Sequence, residues 1–448
     1  EFRRVLFRSF IMRKNLFKKV LALTLASTMA FSMAGCGSKG GSSDAKNDDG
    51  TITLNVWHQW SNDTNELKSK YEEAVKAYEK ENSGVKIKTE TLDTEAYKTK
   101  INAEFAGDAK GIDVFYWWGA GTAKKLVDAG KVMALDDYVT DDVKSKILEG
   151  STSAFEFDGK LYSVPMFSWY MTLFCNKTMF DKAGATLPTT YDELVDAVKK
   201  LKKLDGVTPM AAGAKDGWNA AFVYQALALR EVGATGVNEM LSGKKEFGDE
   251  GFKKAAQKVS DLYEMGAFGD NPLEQGNDDA NAAFENGKAA MRLMGSWFAN
   301  NVYTDDAATI KPEEVVALKI PTIADGKGEA TDYCGGFVES FWVNNNTKYK
   351  EEAAKFCIYI NEKMGVASYE TGSGFSGWTT PADESNLNPL FIQIKDLLAE
   401  GKQGVLAWDT SLESEPAAVH NEQVQTLFAD GADIDAFIDE HKAAINGK

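Results

Sequence analysis

The chain has 448 residues, of which 44% are hydrophobic, and its formal net charge at pH 7 is −17. The length allows two or three domains, and the hydrophobic content excludes a disordered chain. So acidic a surface argues against a nucleic-acid partner and against charge-driven binding to anionic lipid, and it favours a neutral or cationic ligand.

The N-terminal region predicts export and lipidation. Residues 1–11 do not fit a signal sequence and are interpreted as a non-native extension. Residues 12–35 have the form of a lipoprotein signal peptide, with four basic residues before an apolar stretch, Val20–Phe31, that is too short to span a membrane. The sequence SMAGC, Ser32 to Cys36, resembles a bacterial lipobox, which implies cleavage before Cys36 and lipidation of its thiol. An ordinary secretory peptide is the alternative.

The segment that follows the lipobox predicts a tether. Residues 36–50 are rich in Gly, Ser, Asp and Asn, a composition typical of a flexible linker. The other three cysteines, Cys175, Cys334 and Cys357, lie far apart in the sequence. Such spacing argues against a disulfide framework or a zinc site, so we expect these thiols to be packed in the interior.

Strands and helices alternate in the first part of the folded region. Residues 51–60 and 85–92 predict strands, with a helix between them, and a second helix is expected around 97–106. The stretch DVFYWW, from Asp113, predicts a third strand that ends on Trp117 and Trp118. This β-α-β-α-β order predicts a parallel sheet covered by helices, in which ligands bind beyond the carboxyl ends of the strands.

The later segments repeat this α/β style. Thr190 and Glu193 predict a capping box at the start of a helix. Further helices are expected around 219–233 and 251–266, and the region from about Asn388 onward is predicted to be helical. The chain therefore enters two α/β units in turn and re-enters them later. We predict two lobes: residues 51–165 plus about 331–380 form lobe 1, and residues 166–330 plus about 381–448 form lobe 2.

Two local patterns are interpreted without a specialised function. Gly372, Gly374 and Gly377 have GxGxxG spacing, but a helix precedes them and Trp378 follows directly, so we expect a turn that lets a ligand approach the backbone and not a nucleotide site. The acidic stretch 276–287 lacks the Gly and Glu positions of a calcium loop and predicts a solvated loop.

Tryptophans are the most conspicuous candidate ligand contacts. The chain has ten, and several stand at strand ends or in loops beside Gly, Ser, Asn, Asp or Gln. A flat apolar ring next to such polar groups suits a sugar, because the ring covers the C–H face while the polar neighbours bind the hydroxyls. Trp118 adjoins the Gly119-Ala120-Gly121 turn and is favoured over Trp117 as the stacking ring, with the other ring packing inward. Trp342 lies within a strand and is predicted to be core.

Several longer motifs carry a family resemblance. The lipobox is followed in order by DVFYWWGAG, YSVPMFSWYMTLFCNKTMFDKAGATLPTTYDELVDAVKKL, ENGKAAMRLMGSW, GGF and GSGFSGWTTPA. The succession resembles the extracellular solute-binding protein family 1, the carbohydrate-binding lipoproteins of ABC importers, to which maltose-binding protein is distantly related. The resemblance implies a two-lobe, periplasmic-binding-protein-like (type II) α/β fold with a multi-strand hinge and a helical C-terminus. It also implies capture of a sugar between the lobes.

The resemblance further implies partners and site residues. The partners are a carbohydrate ligand, the permease subunits of an ABC importer, and the outer face of the cell membrane through the lipid anchor; no cofactor or metal is implied. By this resemblance, the residues expected to contact the sugar are His58, Gln59, Trp60, Ser61, Trp117, Trp118, Gly119, Trp169, Trp218, Trp297, Gly335, Gly336, Trp378, Trp408 and Asp409. Trp378 is the favoured stacking ring on the opposite wall from Trp118.

Two other functions stay open at the level of sequence. A secreted glycoside hydrolase would need two carboxylates about 5–10 Å apart, one with a raised pKa, and acidic pairs abound in the chain. A protein that binds a cation such as a polyamine would need carboxylates in the cleft. The three histidines, His58, His420 and His441, are scattered, which argues against a histidine metal site or a Ser-His-Asp triad. His58 is interpreted as a hydrogen-bond donor to the ligand.

Overall fold

A computed structural model describes residues 50–62, 66–304, 308–385 and 387–447, and the structural statements below concern these residues. They all belong to one compact unit, Ala45–Lys448. The predicted extension, the signal peptide, Cys36 and all but the last residue of the tether lie outside the described residues. Within them, no helix is long and apolar enough to cross a membrane.

The strands are short except at the centre of the molecule. They are β1 (Ile52–His58), β2 (Val85–Thr91), β3 (Val114–Trp118), β4 (Glu156–Phe157), β5 (Lys160–Leu161), β6 (Phe167–Asn176), β7 (Thr208–Ala211), β8 (Ala289–Gly295), β9 (Val315–Leu318), β10 (Asp332–Val343), β11 (Phe375–Ser376) and β12 (Gln403–Val405). The main sheet has the order β2-β1-β3-β10-β6-β8-β7, and β4 pairs only with β5. The parallel set β2-β1-β3 confirms the predicted start of the fold.

Helices cover both ends of this sheet. They are α1 (Glu66–Glu81), α2 (Thr94–Ala106), α3 (Ala120–Asp128), α4 (Asp141–Lys146), α5 (Lys177–Ala183), α6 (Tyr191–Leu201), α7 (Gly217–Leu241, kinked at Gly233), α8 (Glu250–Glu264), α9 (Asn277–Glu285), α10 (Phe298–Thr304), α11 (Lys350–Glu370), α12 (Pro389–Ala399), α13 (Trp408–Ser411), α14 (Ser414–Thr426) and α15 (Ile434–Ile445). The capping box of Thr190 and Glu193 is present at the start of α6, as predicted. The C-terminal region is helical, as predicted, except for the short strand β12.

The acidic stretch 276–287 differs from its prediction. It is expected to be a solvated loop and forms helix α9. Carboxylates bind the free N–H groups at its start: Asp216 Oδ2 accepts from the Asn277 N–H at 2.7 Å, and Asp279 Oδ2 accepts from the Gly276 N–H at 3.0 Å. Such bonds satisfy backbone donors that an isolated helix end leaves unpaired. The first of them is a long-range contact that the local sequence does not reveal.

Two hydrophobic cores lie at the two ends of the sheet. The first core takes its residues from 52–167 and 338–378, and the second core from 169–323, Cys334 and 387–438. The chain thus passes from one core to the other along β6, along β10, and again between Trp378 and Leu387. The segments alternate as the two predicted lobes do, and the lobe boundaries stay a prediction. Cys175, Cys334 and Cys357 are buried free thiols, as expected.

The candidate ligand-binding cavity

A cavity of about 1200 Å³ is lined by residues of both cores. Cavities that hold a drug-sized molecule usually have about 300–1,000 Å³. The space therefore suits a ligand larger than a single small metabolite. Strands β1 and β3 end at its rim, as expected for the carboxyl ends of parallel strands.

The first aromatic wall belongs to the first core. It consists of Trp60, Tyr116, Trp117 and Trp118, where the chain leaves β1 and where β3 ends. Neighbouring rings meet edge to face: the centroids of Tyr116 and Trp118 are 5.2 Å apart at 88°, and those of Trp117 and Trp118 are 5.5 Å apart at 66°. Edge-to-face packing fixes the ring planes, so the wall is a rigid apolar surface. Of the tandem pair, Trp118 is the more exposed at 9%, against 4% for Trp117.

The second aromatic wall belongs to the second core. It consists of Trp169, Trp218, Phe222 and Trp297. Trp169 stacks on Phe222 with centroids 5.4 Å apart and meets Trp297 edge to face at 5.1 Å. Trp218 meets Phe222 edge to face at 5.3 Å. Trp218 and Trp297 are only partly buried, so their rings stay available to a ligand.

The polar lining is strongly acidic. The lining contains three lysines, Lys98, Lys125 and Lys215. It contains nine carboxylates: Glu66, Asp93, Glu95, Asp216, Asp278, Asp279, Glu285, Glu339 and Asp409. Amide side chains, among them Asn281 and Asn300, share this lining. Acidic charge in a cleft with apolar walls repels anions and favours neutral or cationic ligands.

Several polar atoms of the lining lack a hydrogen-bond partner. In the part of the chain that the structure describes, six buried side-chain polar atoms have none, and four of them belong to lining residues: Gln59 Oε1, Tyr116 Oη, Glu339 Oε2 and Asn421 Oδ1. Leaving a buried polar atom unpaired costs about 1–3 kcal/mol. Their concentration at one cavity indicates groups arranged for a polar ligand.

Two carboxyl groups of the lining have raised pKa values. Burial raises the pKa of Glu339 to about 7, against the opposing effects of Tyr116, Trp118 and Lys98. Burial also raises the pKa of Asp409, and Lys98 opposes this. Among the described residues, no group of three or more His, Cys, Asp or Glu side chains is arranged to hold a metal ion.

The cavity brings together nine of the fifteen predicted site residues. These are Gln59, Trp60, Ser61, Trp117, Trp118, Trp169, Trp218, Trp297 and Asp409. The other six do not line it, and the packing gives a reason for each.

Trp378 lies in the first core, away from the cavity. It is 4% exposed, and its indole N–H donates to the Pro165 carbonyl oxygen at 2.7 Å. The glycine turn before it reaches the cavity at Ser373, although a Cβ on Gly374 or Gly377 would meet the side chains of Phe167 or Pro165. The expectation of a stacking ring at Trp378 is therefore corrected, and the ligand-facing turn stays a prediction.

Trp408 and His58 are likewise interior residues. Trp408 is 1% exposed and stacks on His420, with ring centroids 5.0 Å apart, so its neighbours Ala407 and Asp409 line the cavity and Trp408 does not. His58 is 1% exposed, and its Nδ1 accepts from the Trp60 N–H at 3.2 Å. Burial, with a smaller contribution from Lys68, lowers the pKa of His58 to about 3. His58 therefore packs against Trp60 in the interior and does not line the cavity.

The predicted glycines serve backbone packing. At Gly335 φ is 136°, and a Cβ there would overlap the Trp169 carbonyl oxygen where β10 pairs with β6. A Cβ on Gly336 would lie 2.6 Å from the Leu406 side chain. A Cβ on Gly119 would overlap the carbonyl oxygen of Ala154. Each glycine permits close approach of protein and not of a ligand.

Some lining residues were missed at the sequence level. Glu339 is the one charged residue in the mostly apolar stretch FVESFWV, and a carboxylate there is a signal that could have found it. Tyr116 and Phe222 read as core residues, which they also are. Asn421 lies on α14, and no local pattern distinguishes it.

Contacts between segments of the two cores border the cavity. Asn300 Nδ2 on α10 donates to Glu66 Oε2 at the start of α1, over 3.1 Å. Thr122 Oγ1 on α3 donates to the Asp409 carbonyl oxygen on α13, over 3.3 Å. These side chains join the two sides of the cavity at its rim.

Residues 61–366 match the family described as bacterial extracellular solute-binding protein. The match covers more than half of the chain. The chain belongs to this family. The two-lobe type II α/β fold, predicted from the sequence motifs, is confirmed by solved structures of the same architecture.

This solute-binding protein is similar to two solved structures and to a named sequence relative. A structure from a study of xylan utilization by the thermophilic bacterium Caldanaerobius polysaccharolyticus is 36% identical, with a TM-score of 0.84, and the match covers 88% of this chain and 100% of that chain. A chitin oligosaccharide binding protein, 21% identical with a TM-score of 0.80, shares the fold over 89% of this chain and 98% of its own. The multiple sugar-binding protein of Streptococcus mutans serotype c is 24% identical over 79% of this chain and 80% of its own length.

Proposed function

We propose that this protein captures a neutral di- or oligosaccharide in the cavity and delivers it to the permease of an ABC importer. The observation that carries the proposal is the pair of aromatic walls, one from each core, that face a common cavity. Sugar rings present apolar faces on both sides and hydroxyls around the edge. Two aromatic walls at one cavity, together with the polar side chains of its lining, complement that shape.

The relatives support a carbohydrate and suggest which to try first. One is named a multiple sugar-binding protein, and the structure at 36% identity comes from work on xylan utilization. Xylan-derived oligosaccharides therefore head the candidates. The volume of about 1200 Å³ favours two or more sugar units over one.

Delivery would depend on closure of the predicted lobes about their connections. Strands β6 and β10 contribute residues to both cores, and a third connection runs from Trp378 to Leu387. Closure about a few such crossings is a hinge motion. It would press the two aromatic walls onto opposite faces of the sugar and present a closed surface to the permease.

The acidic lining favours a cationic ligand as the second candidate. Nine carboxylates against three lysines could bind a polyamine, and aromatic faces attract cations. The raised pKa values of Glu339 and Asp409 also supply the acid that a glycoside hydrolase requires. Both alternatives have distinct outcomes in the experiment below.

A thermal-shift screen of the purified folded region tests the proposal. The panel contains xylo-oligosaccharides, other neutral di- and oligosaccharides, and spermidine. A ligand that binds only the native state raises the melting temperature, and at a hundred times Kd the stabilisation is about 2.7 kcal/mol. We expect a shift with a neutral oligosaccharide that chromatography recovers intact after overnight incubation. A shift with spermidine alone, or release of smaller sugars, would favour one of the alternatives.

Membrane attachment through Cys36 is a further proposal. The Cys36→Ser variant loses the thiol that the lipobox would acylate, so it should leave the membrane fraction and appear in the medium or the soluble extract. Fractionation of cells followed by immunoblotting measures this. A Cys175→Ser variant, which alters a buried free thiol, is the control and should fractionate like the wild type. Retention of Cys36→Ser on the membrane would refute the anchor.

A further inference from the structure

Glu339 lies at an irregularity in the pairing of the central strands. It lies where β10 pairs with Trp118 of β3 on one side and with Phe167 of β6 on the other. The register of β10 against β6 shifts between Phe337 and Glu339. Bulges of this kind redirect a side chain and are common beside functional sites. Here the side chain that follows the shift lines the cavity.

The carboxylate of Glu339 is buried without full hydrogen bonding. Glu339 is 7% exposed and Tyr116 is fully buried, and neither Glu339 Oε2 nor Tyr116 Oη has a partner. Tyr116 and Trp118 lie close enough to lower the pKa of Glu339, yet the Tyr116 hydroxyl makes no bond of good geometry. Both unpaired atoms belong to residues that line the cavity. Their cost to folding is offset if a bound molecule supplies the missing partners.

The groups that face Glu339 come from three elements. Strand β3 presents Tyr116 and Trp118, strand β6 presents the apolar Phe167, and helix α2 presents Lys98. Lys98 Nζ is 3.1 Å from Glu95 Oε1 and 5.0 Å from the centroid of the Trp118 ring, and it also acts on Asp409 of α13. The nearest cation is therefore already engaged, and it does not neutralise Glu339 alone.

We propose that ionised Glu339, with Tyr116 beside it, accepts a hydrogen bond from a hydroxyl of the ligand and is a determinant of affinity in this cavity. The inference rests on the proposed function, and it identifies Glu339 as the polar anchor, the side chain that holds a hydroxyl of the sugar. A neutral hydroxyl suits the site, since a second anion would be repelled by the acidic lining. Tyr116 is fully buried, so its hydroxyl acts on the ligand through Glu339 and not by direct contact.

The proposal makes binding proton-linked. Burial holds the pKa of free Glu339 at about 7, so near neutral pH part of the population is protonated. A hydroxyl that donates to the carboxylate favours the ionised form and lowers its pKa. Ligand binding therefore releases a fraction of a proton near pH 7. Affinity falls as the pH drops below the pKa of the free protein, and levels off above it.

Calorimetric titration with xylotriose, at pH 7 in phosphate and in Tris, tests the inference. The difference in heat between the two buffers gives the number of protons released. We expect fractional release by the wild type, and for Glu339→Gln about tenfold or more weaker binding with no release. Tyr116→Phe should bind more weakly and still release a proton. Glu73→Gln, which changes an exposed carboxylate on α1, is the control and should behave like the wild type.

The outcomes separate this inference from the proposed function. If the wild type binds neither xylotriose nor another neutral oligosaccharide, both fail. If the wild type binds and Glu339→Gln retains its affinity and its proton count, the anchor alone is refuted. Proton uptake on binding would also refute it, because Glu339 would then act as a neutral donor. Melting curves confirm that each variant is folded, and Tyr116→Phe provides a second test of the same contact.

Discussion

The double variant Trp118→Ala/Trp218→Ala should bind its oligosaccharide at least a hundredfold more weakly than the wild type. Each ring belongs to a different aromatic wall and is among the more accessible rings of that wall. Loss of one stacked ring removes buried apolar area and an aromatic contribution of about 0.5–1.5 kcal/mol, so each change should cost about tenfold, or about 1.4 kcal/mol. The rings lie on separate cores, so their effects should nearly add.

Trp218 is preferred to Trp297 as the second site for a structural reason. Trp297 packs against Trp169, Trp218 and Phe222, whereas Trp218 meets only Phe222 and Trp297. Replacing Trp218 should therefore disturb the packing of the second aromatic wall less than replacing Trp297. Calorimetric titration of the two single variants and the double variant measures the effect. Wild-type affinity in the double variant would show that the sugar does not lie between these walls.

Trp378→Ala should lower the free energy of unfolding by about 3–5 kcal/mol and leave affinity within about twofold of the wild type. The ring fills space in the first core, and its removal also leaves the Pro165 carbonyl oxygen without its indole donor. The predicted result is the opposite of that for Trp118, although both residues end or follow a strand in a loop-like sequence. Urea unfolding curves and titrations of the same preparations measure the two quantities.

Trp342→Ala is the matched control for this second prediction. Trp342 is fully buried and its indole N–H donates to the Trp117 carbonyl oxygen at 3.1 Å, so its role as a core residue is confirmed and its loss should cost a similar 3–5 kcal/mol. Trp378→Ala with normal stability and a large loss of affinity would restore Trp378 as a ligand contact and contradict the cavity described here.

Local sequence predicted the elements better than the contacts. Alternating apolar residues predicted β1 and β3, and the capping box predicted the start of α6, because these features depend on neighbours in the chain. Polar neighbours led us to expect both Trp218 and Trp378 at the ligand. Trp378 does lie in an irregular segment, whereas Trp218 is the second residue of α7, and only the packing of distant segments decides which ring is covered.

The acidic lining of the cavity also could not be predicted from local sequence. Asp216, Asp279 and Glu339 come from three segments that are far apart in sequence, and the topology of the sheet and α9 brings them to one cavity. The sequence reveals an acidic chain but not where its charge collects. Glu339 could have been noted as the one charged residue in the mostly apolar stretch FVESFWV, whereas the unpaired state of its Oε2 depends on tertiary contacts.

A calorimetric titration of the wild-type folded region with xylotriose, followed by chromatography of the recovered sugar, tests the central claim most directly. We expect one sugar bound per protein with a Kd on the order of 1 μM, or about −8 kcal/mol, and the trisaccharide recovered intact. If xylotriose and other neutral oligosaccharides give no binding heat while spermidine does, or if the sugar is cleaved, capture of a neutral oligosaccharide is contradicted.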